Sequence, residues 1–283
     1  MNKKMTMRRI KRALPQIALV SFLLILSILM ILPLSWTIST SLRLPTESFR
    51  MPPSFFPTSF NLSGYQAIFE IFPFARFITN SLIVAASSVA LNIVVTTMAA
   101  YSFSRINFPG RNVLFIVILS GMMLPAQATM IPLFIIMSRL GLVNTLWALI
   151  LPASVSPLAI FLVRQFMLTV PKSYEEAAVI DGCGRGKIFL YLIIPMCKPV
   201  IMMTALLGFL RSWNDFLSPL IYIHDWNRMT LPVGLRVIQG YMSAGQLAEI
   251  LAGVSLSLIV PIIMYVFGQR YLVEGLALSG LKS

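Results

Sequence analysis

Six stretches of this chain are apolar for long enough to cross a bilayer, roughly residues 16–38, 77–102, 112–137, 145–167, 199–223 and 248–270. About 20 apolar residues cover a hydrocarbon core of about 30 Å. In that medium every backbone N–H and C=O must find its partner within the segment, so spans of this kind are helices. With 58% hydrophobic residues and 11% charged ones, little polar sequence remains from which to build a soluble domain. The expected fold is all-α, a polytopic membrane protein with six transmembrane helices.

A net charge of +13 invites a nucleic-acid reading, but the cations are distributed as a topology signal. Lys3, Lys4, Arg8, Arg9, Lys11 and Arg12 precede the first span, and most of the others sit in alternate loops. With both ends in the cytoplasm, 15 cations fall inside and six outside (Arg43, Arg50, Arg76, Arg139, Arg228 and Arg236), leaving Arg211 within a span. Inside cations set orientation and attract anionic membrane lipids. No aromatic residues interleave with them as nucleic-acid binding would need. The expected organisation is a basic cytoplasmic N-terminus at 1–15, a membrane domain at 16–270 and a cytoplasmic C-terminal tail at 271–283. The first apolar run is too long for a signal-peptide core and reads as an uncleaved span.

Loop 39–76, rich in proline from Pro45 to Pro57, is expected to be extended and turn-rich, without a domain of its own. Pro33, Pro125, Pro132, Pro152, Pro157, Pro219 and Pro261 fall inside spans, where each frees a carbonyl and bends the helix. Cys183 and Cys197 are the only cysteines and His224 the only histidine, which supports neither a disulfide framework nor a metal site.

Between the fourth and fifth spans lies the stretch PKSYEEAAVIDGCGRGKIFLYLIIPMCKP, residues 171–199. Ser173 and Glu176 have the S-x-x-E spacing of a capping box. The turn that follows is expected to put Tyr174, Ala177 and Ala178 on one face. Gly182 stands where the helix should stop, since a left-handed residue costs glycine nothing. A second helix can begin near Arg185 and run back toward the membrane.

Glu176-Ala177-Ala178, Gly182 after three residues, then Leu192 and Pro195 resemble the EAA loop, E-A-A-x3-G-x9-I-x2-P, of ABC importer permeases, with Leu192 where Ile is usual. Asp181 beside Gly182 and the later SWNDFLSPLI resemble the carbohydrate-importer branch, specifically the smaller permease of maltose-type systems. The resemblance implies a type I importer fold in a bacterial or archaeal cytoplasmic membrane, with 168–198 as a cytoplasmic coupling loop. It implies that Ser173, Tyr174, Glu175, Glu176, Ala177 and Ala178, then Asp181, Gly182 and Arg185, form a helix and corner seated on an ATPase subunit. The implied partners are a second, homologous permease in a heterodimer, two ABC ATPases that carry ATP-Mg, and an extracytoplasmic solute-binding protein. The segment from His224 to Glu249 would approach that binding protein. The tail would reach toward the ATPases, although its ending LSGLKS departs from the usual pattern.

One further group is Arg211, Trp213, Asn214 and Asp215 in the fifth span. Charges inside hydrocarbon usually face a bundle interior or an aqueous path. Arg211 and Asp215 can pair at i, i+4, while an aromatic beside amide and carboxylate groups suits a sugar. Helix–helix pairing and substrate lining both remain open from the sequence. No G-x4-G-K-[ST] loop is present to cradle nucleotide phosphates, no Ser/His/Asp set or ligand cluster is spaced for catalysis or metal, and the chain is expected to bind no cofactor. The expected function is the permease subunit of an ATP-driven importer of a sugar, oligosaccharide or related polyol, with no enzymatic activity of its own. The alternative is an ion-coupled secondary transporter of a small polar solute. That would call for intramembrane carboxylates, and within the spans Asp215 is nearly alone, with Glu249 at an edge.

Overall fold

A computed structural model describes residues 2–44, 60–242 and 246–280. Part of the proline-rich loop, Gly245 and Lys282 lie outside the described residues. The described chain is helical throughout, with no strand among the described residues. By internal contacts it divides into two compact units, Met1–Ile71 with Ile238–Leu256, and Phe72–Val237 with Ser257–Ser283.

Four helical segments are long and apolar enough to cross a membrane: Ala18–Ser41, Phe74–Arg105, Trp147–Thr169, which has a short break within it, and Leu247–Tyr271. Two further candidates are bent pairs. Arg111–Met123 meets Ala126–Arg139 at 108°, and Arg185–Met196 meets Lys198–Trp213 at 75°. Six spans result if each bent pair is one span, but the third and fifth are not the straight helices that hydropathy suggests. Proline explains the first bend, because Pro125 is extended and fixes Leu124 in the extended region before it.

In the first unit, helix α1 (Asn2–Ser41) precedes helix α2 (Ser63–Ile71). Here the structure adds a short helix to the segment 39–76, where the sequence predicts an extended, turn-rich loop. Asn61 Oδ1 accepts from the Ser63 amide at 2.8 Å and sets the start of α2, and Ile68 on that helix is fully buried. Gly64 lies against the backbone of Ala248 and Glu249, where a Cβ would stand 3.3 Å from the Glu249 Cα, so only glycine permits this approach without displacement. The hydroxyls of Ser41 and Tyr65 share a hydrogen bond of 2.7 Å.

The second unit is built around helix α3 (Phe74–Arg105). Against it pack helix α6 (Trp147–Ala153), helix α7 (Pro157–Thr169) and helix α11 (Lys198–Trp213). The shared core includes Ala100, Tyr101, Val163, Met167, Val200 and Ile201. The short break between α6 and α7 is prepared by both helices. Ser156 caps α7 by accepting from the Ala159 amide, and Pro157 sits at the first helical position, where its missing N–H costs nothing. The freed carbonyl of Ser154 is taken by the buried Asn92 amide of α3 at 2.9 Å. The remaining elements are helix α4 (Arg111–Ser120), helix α5 (Ala126–Arg139), helix α8 (Ser173–Ile180) and two helical turns, α9 (Arg185–Lys187) and α10 (Ile194–Met196). Helix α12 (Leu217–Tyr222), helix α13 (Leu231–Tyr241) and helix α14 (Leu247–Gly280) complete the chain. The residues assigned to a tail, as far as Gly280, therefore continue the last helix in backbone.

Candidate functional site: helix α8 and its glycine corner

Helix α8 is short, eight residues, and stops ahead of Gly182 as the sequence pattern implies, but it begins differently. Lys172 is already in the right-handed helical region, and its carbonyl accepts from the amides of both Glu175 and Glu176. Ser173 is thereby drawn into the first turn, and no capping box forms with Glu176. What the two glutamates supply instead is negative charge in the first turn, where the helix dipole favours it.

The C-terminal corner is a Schellman motif. Gly182 has φ +77°, the Cys183 amide donates to the Ala178 carbonyl at 2.9 Å, and the Gly182 amide donates to the Val179 carbonyl at 3.0 Å. A Cβ at Gly182 would meet nothing within 4 Å, so the demand for glycine there comes from backbone conformation alone. Ala178 and Cys183, joined by this motif, pack together on the core shared by α3, α7 and α11.

That packing decides which face of α8 is free. Glu175 and Ala178, one turn apart, turn inward, while Tyr174, Glu176, Ala177, Val179, Ile180 and Asp181 are exposed. The expected grouping of Ala178 with Tyr174 and Ala177 is therefore corrected. Ile180 is 86% exposed and Tyr174 51%. Serine, glycine and arginine complete the exposed surface at Ser173, Gly182 and Arg185.

Beneath the helix, Arg105 ends α3 and meets Glu175 with Nε 2.6 Å from Oε1, their side chains 5% and 17% exposed. The approach lies off the N–H axis, so this is a close ion pair without an aligned hydrogen bond. The same guanidinium donates through Nη2 to the Val170 carbonyl at 2.8 Å, just before α8. Arg164 donates to the Phe103 carbonyl at 3.1 Å and lies over the Phe115 ring, 4.1 Å from its centroid. Arg105 is the residue that sequence reasoning missed. It reads there as one more cation of a short loop, and nothing in spacing links it to Glu175.

After Gly184 the chain forms α9, a wide π-helical stretch over Ile188–Ile193 and then α10, before it bends at Cys197 into α11. Pro195 and Pro199 lack the N–H groups a regular ladder needs on either side of that bend. Tyr101 of α3 packs on Phe189, with ring centroids 4.9 Å apart.

The fifth-span group is placed otherwise than expected. Helix α11 ends at Trp213, and Asn214 takes the C-cap position, its side-chain amide donating back to the Leu210 carbonyl. Asp215 lies past the helix end and accepts from the Ser218 amide at 3.2 Å, starting α12. Arg211 and Asp215 therefore form no ion pair. Arg211 is exposed, and Trp213 is buried, stacked on Phe209 with centroids 6.0 Å apart.

At the far end of α3, Asn144, in the left-handed region at φ 62°, organises the segment around His224. Its side-chain oxygen accepts from the His224 and Asp225 amides at 3.0 Å, and its carbonyl accepts from Arg228. Arg76 and Asn80 of α3 bind Asn227, and the Ser81 hydroxyl accepts from the Leu231 amide at 2.7 Å. His224 is exposed, and among the described residues no group of three or more His, Cys, Asp or Glu side chains is arranged to hold a metal.

Residues 92–273, which include α8 and its corner, match the family of the binding-protein-dependent transport system inner membrane component. The chain is 37% identical over 256 residues to the arabinooligosaccharides transport system permease protein AraQ of Halalkalibacterium halodurans, covering 89% of this chain and 91% of that one. It is 30% identical over 283 residues to the trehalose/maltose transport system permease protein MalG of Thermococcus litoralis, covering 96% and 99%. Among solved structures, its fold is similar to a bacterial ABC transporter involved in the import of the acidic polysaccharide alginate. That match has a TM-score of 0.81 at 22% identity and covers 92% of this chain and 97% of that one. The chain belongs to the family of binding-protein-dependent inner membrane transport components, the membrane-spanning permeases of ABC importers.

Proposed function

We propose that this chain is one of two homologous permeases in an importer of oligosaccharides, and that the outward face of α8 is the surface on which an ATPase subunit seats. The observation that carries the reading is the free face of α8. An eight-residue helix, fixed from beneath by Ala178 and a Schellman corner, presents Tyr174, Ala177, Val179 and Ile180 away from the core. Short amphipathic helices with apolar anchors are what a groove on a partner accepts. Glu176, Asp181 and Arg185 around these anchors supply a charged rim. The termini lie in the cytoplasm with α8, in keeping with the cation asymmetry. ATP-Mg is held by the two ATPases, and a solute-binding protein delivers substrate on the opposite side. The saccharide class rests on the named relatives, which include permeases for arabinooligosaccharides and for trehalose/maltose. Arg211 and Asn214, exposed on α11 and its C-cap, are the residues of the fifth-span group left free to face a partner or a translocation path.

The test is reconstitution of the permease pair with its ATPases and binding protein in sealed vesicles, supplied in turn with arabinooligosaccharides, maltose and trehalose. Saccharide accumulation that requires ATP inside and binding protein outside supports the reading. Uptake driven by a proton or sodium gradient without ATP contradicts it.

A further inference from the structure

We propose that Arg105 and Glu175 form a strut that makes α8 and α3 move as one body, so that displacement of α8 is passed directly to the central span. The inference rests on α8 being the ATPase-docking helix and adds the route by which its motion enters the membrane.

Three observations point this way. Arg105 is the last residue of α3, the helix against which α6, α7 and α11 all pack, so a force applied there acts on the hub of the unit. Glu175 lies in the first turn of α8 and faces away from its exposed surface, so docking of a partner leaves the contact in place. One guanidinium serves two elements at once. Nε meets Glu175 while Nη2 holds the Val170 carbonyl, tying the end of α3 to both the entry and the first turn of α8.

Stability alone is a poor explanation for such a pair, because buried ion pairs are often matched or bettered by apolar residues of similar volume. A guanidinium fork that pairs with Glu175 and donates to the Val170 carbonyl holds the end of α3 at two points at once, which apolar packing does not do. Ala178 and Cys183 supply the apolar packing under the same helix. The guanidinium adds a second and a third point of attachment to it.

The test uses the complete complex with ATPases bound, Cys183 and Cys197 replaced, and nitroxides at Lys172→Cys beside α8 and Met98→Cys on α3. Both positions are exposed. The inter-label distance is measured without nucleotide and after trapping with ADP and vanadate. For the native pair the expected result is one narrow distribution, unchanged on trapping. Glu175→Gln, nearly isosteric and leaving Arg105 its Val170 contact, should broaden the distribution without nucleotide and shift it by several ångströms on trapping, on the scale of a helical turn of about 5.4 Å. Arg105→Lys keeps the charge but gives up the fork, and it should fall between the two. A native distance that changes on trapping overturns the proposal, and so does Glu175→Gln behaving as native. Should the ATPases fail to stay on the native complex, the docking reading fails separately. The nucleotide-free distributions of native and variants then still decide whether the strut exists.

Discussion

At Asp215, two residues of helix decide what a carboxylate does. An i, i+4 pair with Arg211 requires α11 to continue through Asp215, and it ends at Trp213. Asp215 instead begins the next helix by accepting from the Ser218 amide. The expected consequence is additivity. Arg211→Gln and Asp215→Asn should show no coupling in thermal unfolding of the detergent-purified complex, within the few tenths of a kcal/mol usual for independent sites. Asp215→Ala, which removes the acceptor, should cost about 1 kcal/mol, while Asp215→Asn keeps the acceptor and costs less. A coupling of several kcal/mol would instead indicate that the two charges meet. The Ser173 cap fails for a related reason, since Lys172 turns helical one residue early and takes both first-turn amides on its own carbonyl. Gly182 was legible because its requirement is local, a left-handed φ that no neighbour imposes. Glu175 was not, because its partner lies on a distant helix.

Among the elements, helix type and order followed from hydropathy and proline, whereas continuity did not. The break at Leu124–Pro125 and the π-helical stretch before Cys197 turn two apolar runs into bent pairs. Apolar composition is the same on both sides of a bend, so a hydropathy profile passes over it. The start of α13 shows a close approach of the same hidden kind. A Cβ at Gly234 would lie 2.3 Å from a ring carbon of the fully buried Phe77 of α3. Gly234→Ala should therefore force the ring or the helix aside, at a cost of about 1–3 kcal/mol. The combination with Phe77→Leu, which withdraws the ring, should recover part of that loss in the unfolding temperature of the purified complex. Gly234→Ala with native unfolding temperature would mean the contact is looser than described.

At the scale of the whole molecule, membrane character and family membership were readable from apolar run lengths and from the spacing of Glu176, Ala177, Ala178, Gly182 and Pro195. What spacing does not convey is the orientation of α8, with Glu175 and Ala178 held inward and Tyr174 and Ile180 outward. That orientation follows from packing of α8 on the π-helical stretch Ile188–Ile193, from Ala178 reaching the core to which α3, α7 and α11 also contribute, and from the pair with Arg105. It turns the proposed docking role into a statement about particular side chains: on that proposal the exposed face of α8 touches the ATPase and the inner face does not. The most direct measurement is photocrosslinking in native membranes, with p-benzoylphenylalanine placed singly at Ile180, Tyr174 or, as a comparison outside α8, the exposed Leu190. Ile180 and Tyr174 should each give an adduct of this chain with an ATPase subunit, and Leu190 should give none. Adducts from Leu190 but not from Ile180 or Tyr174, with the ATPases present in the same membranes, would contradict the account.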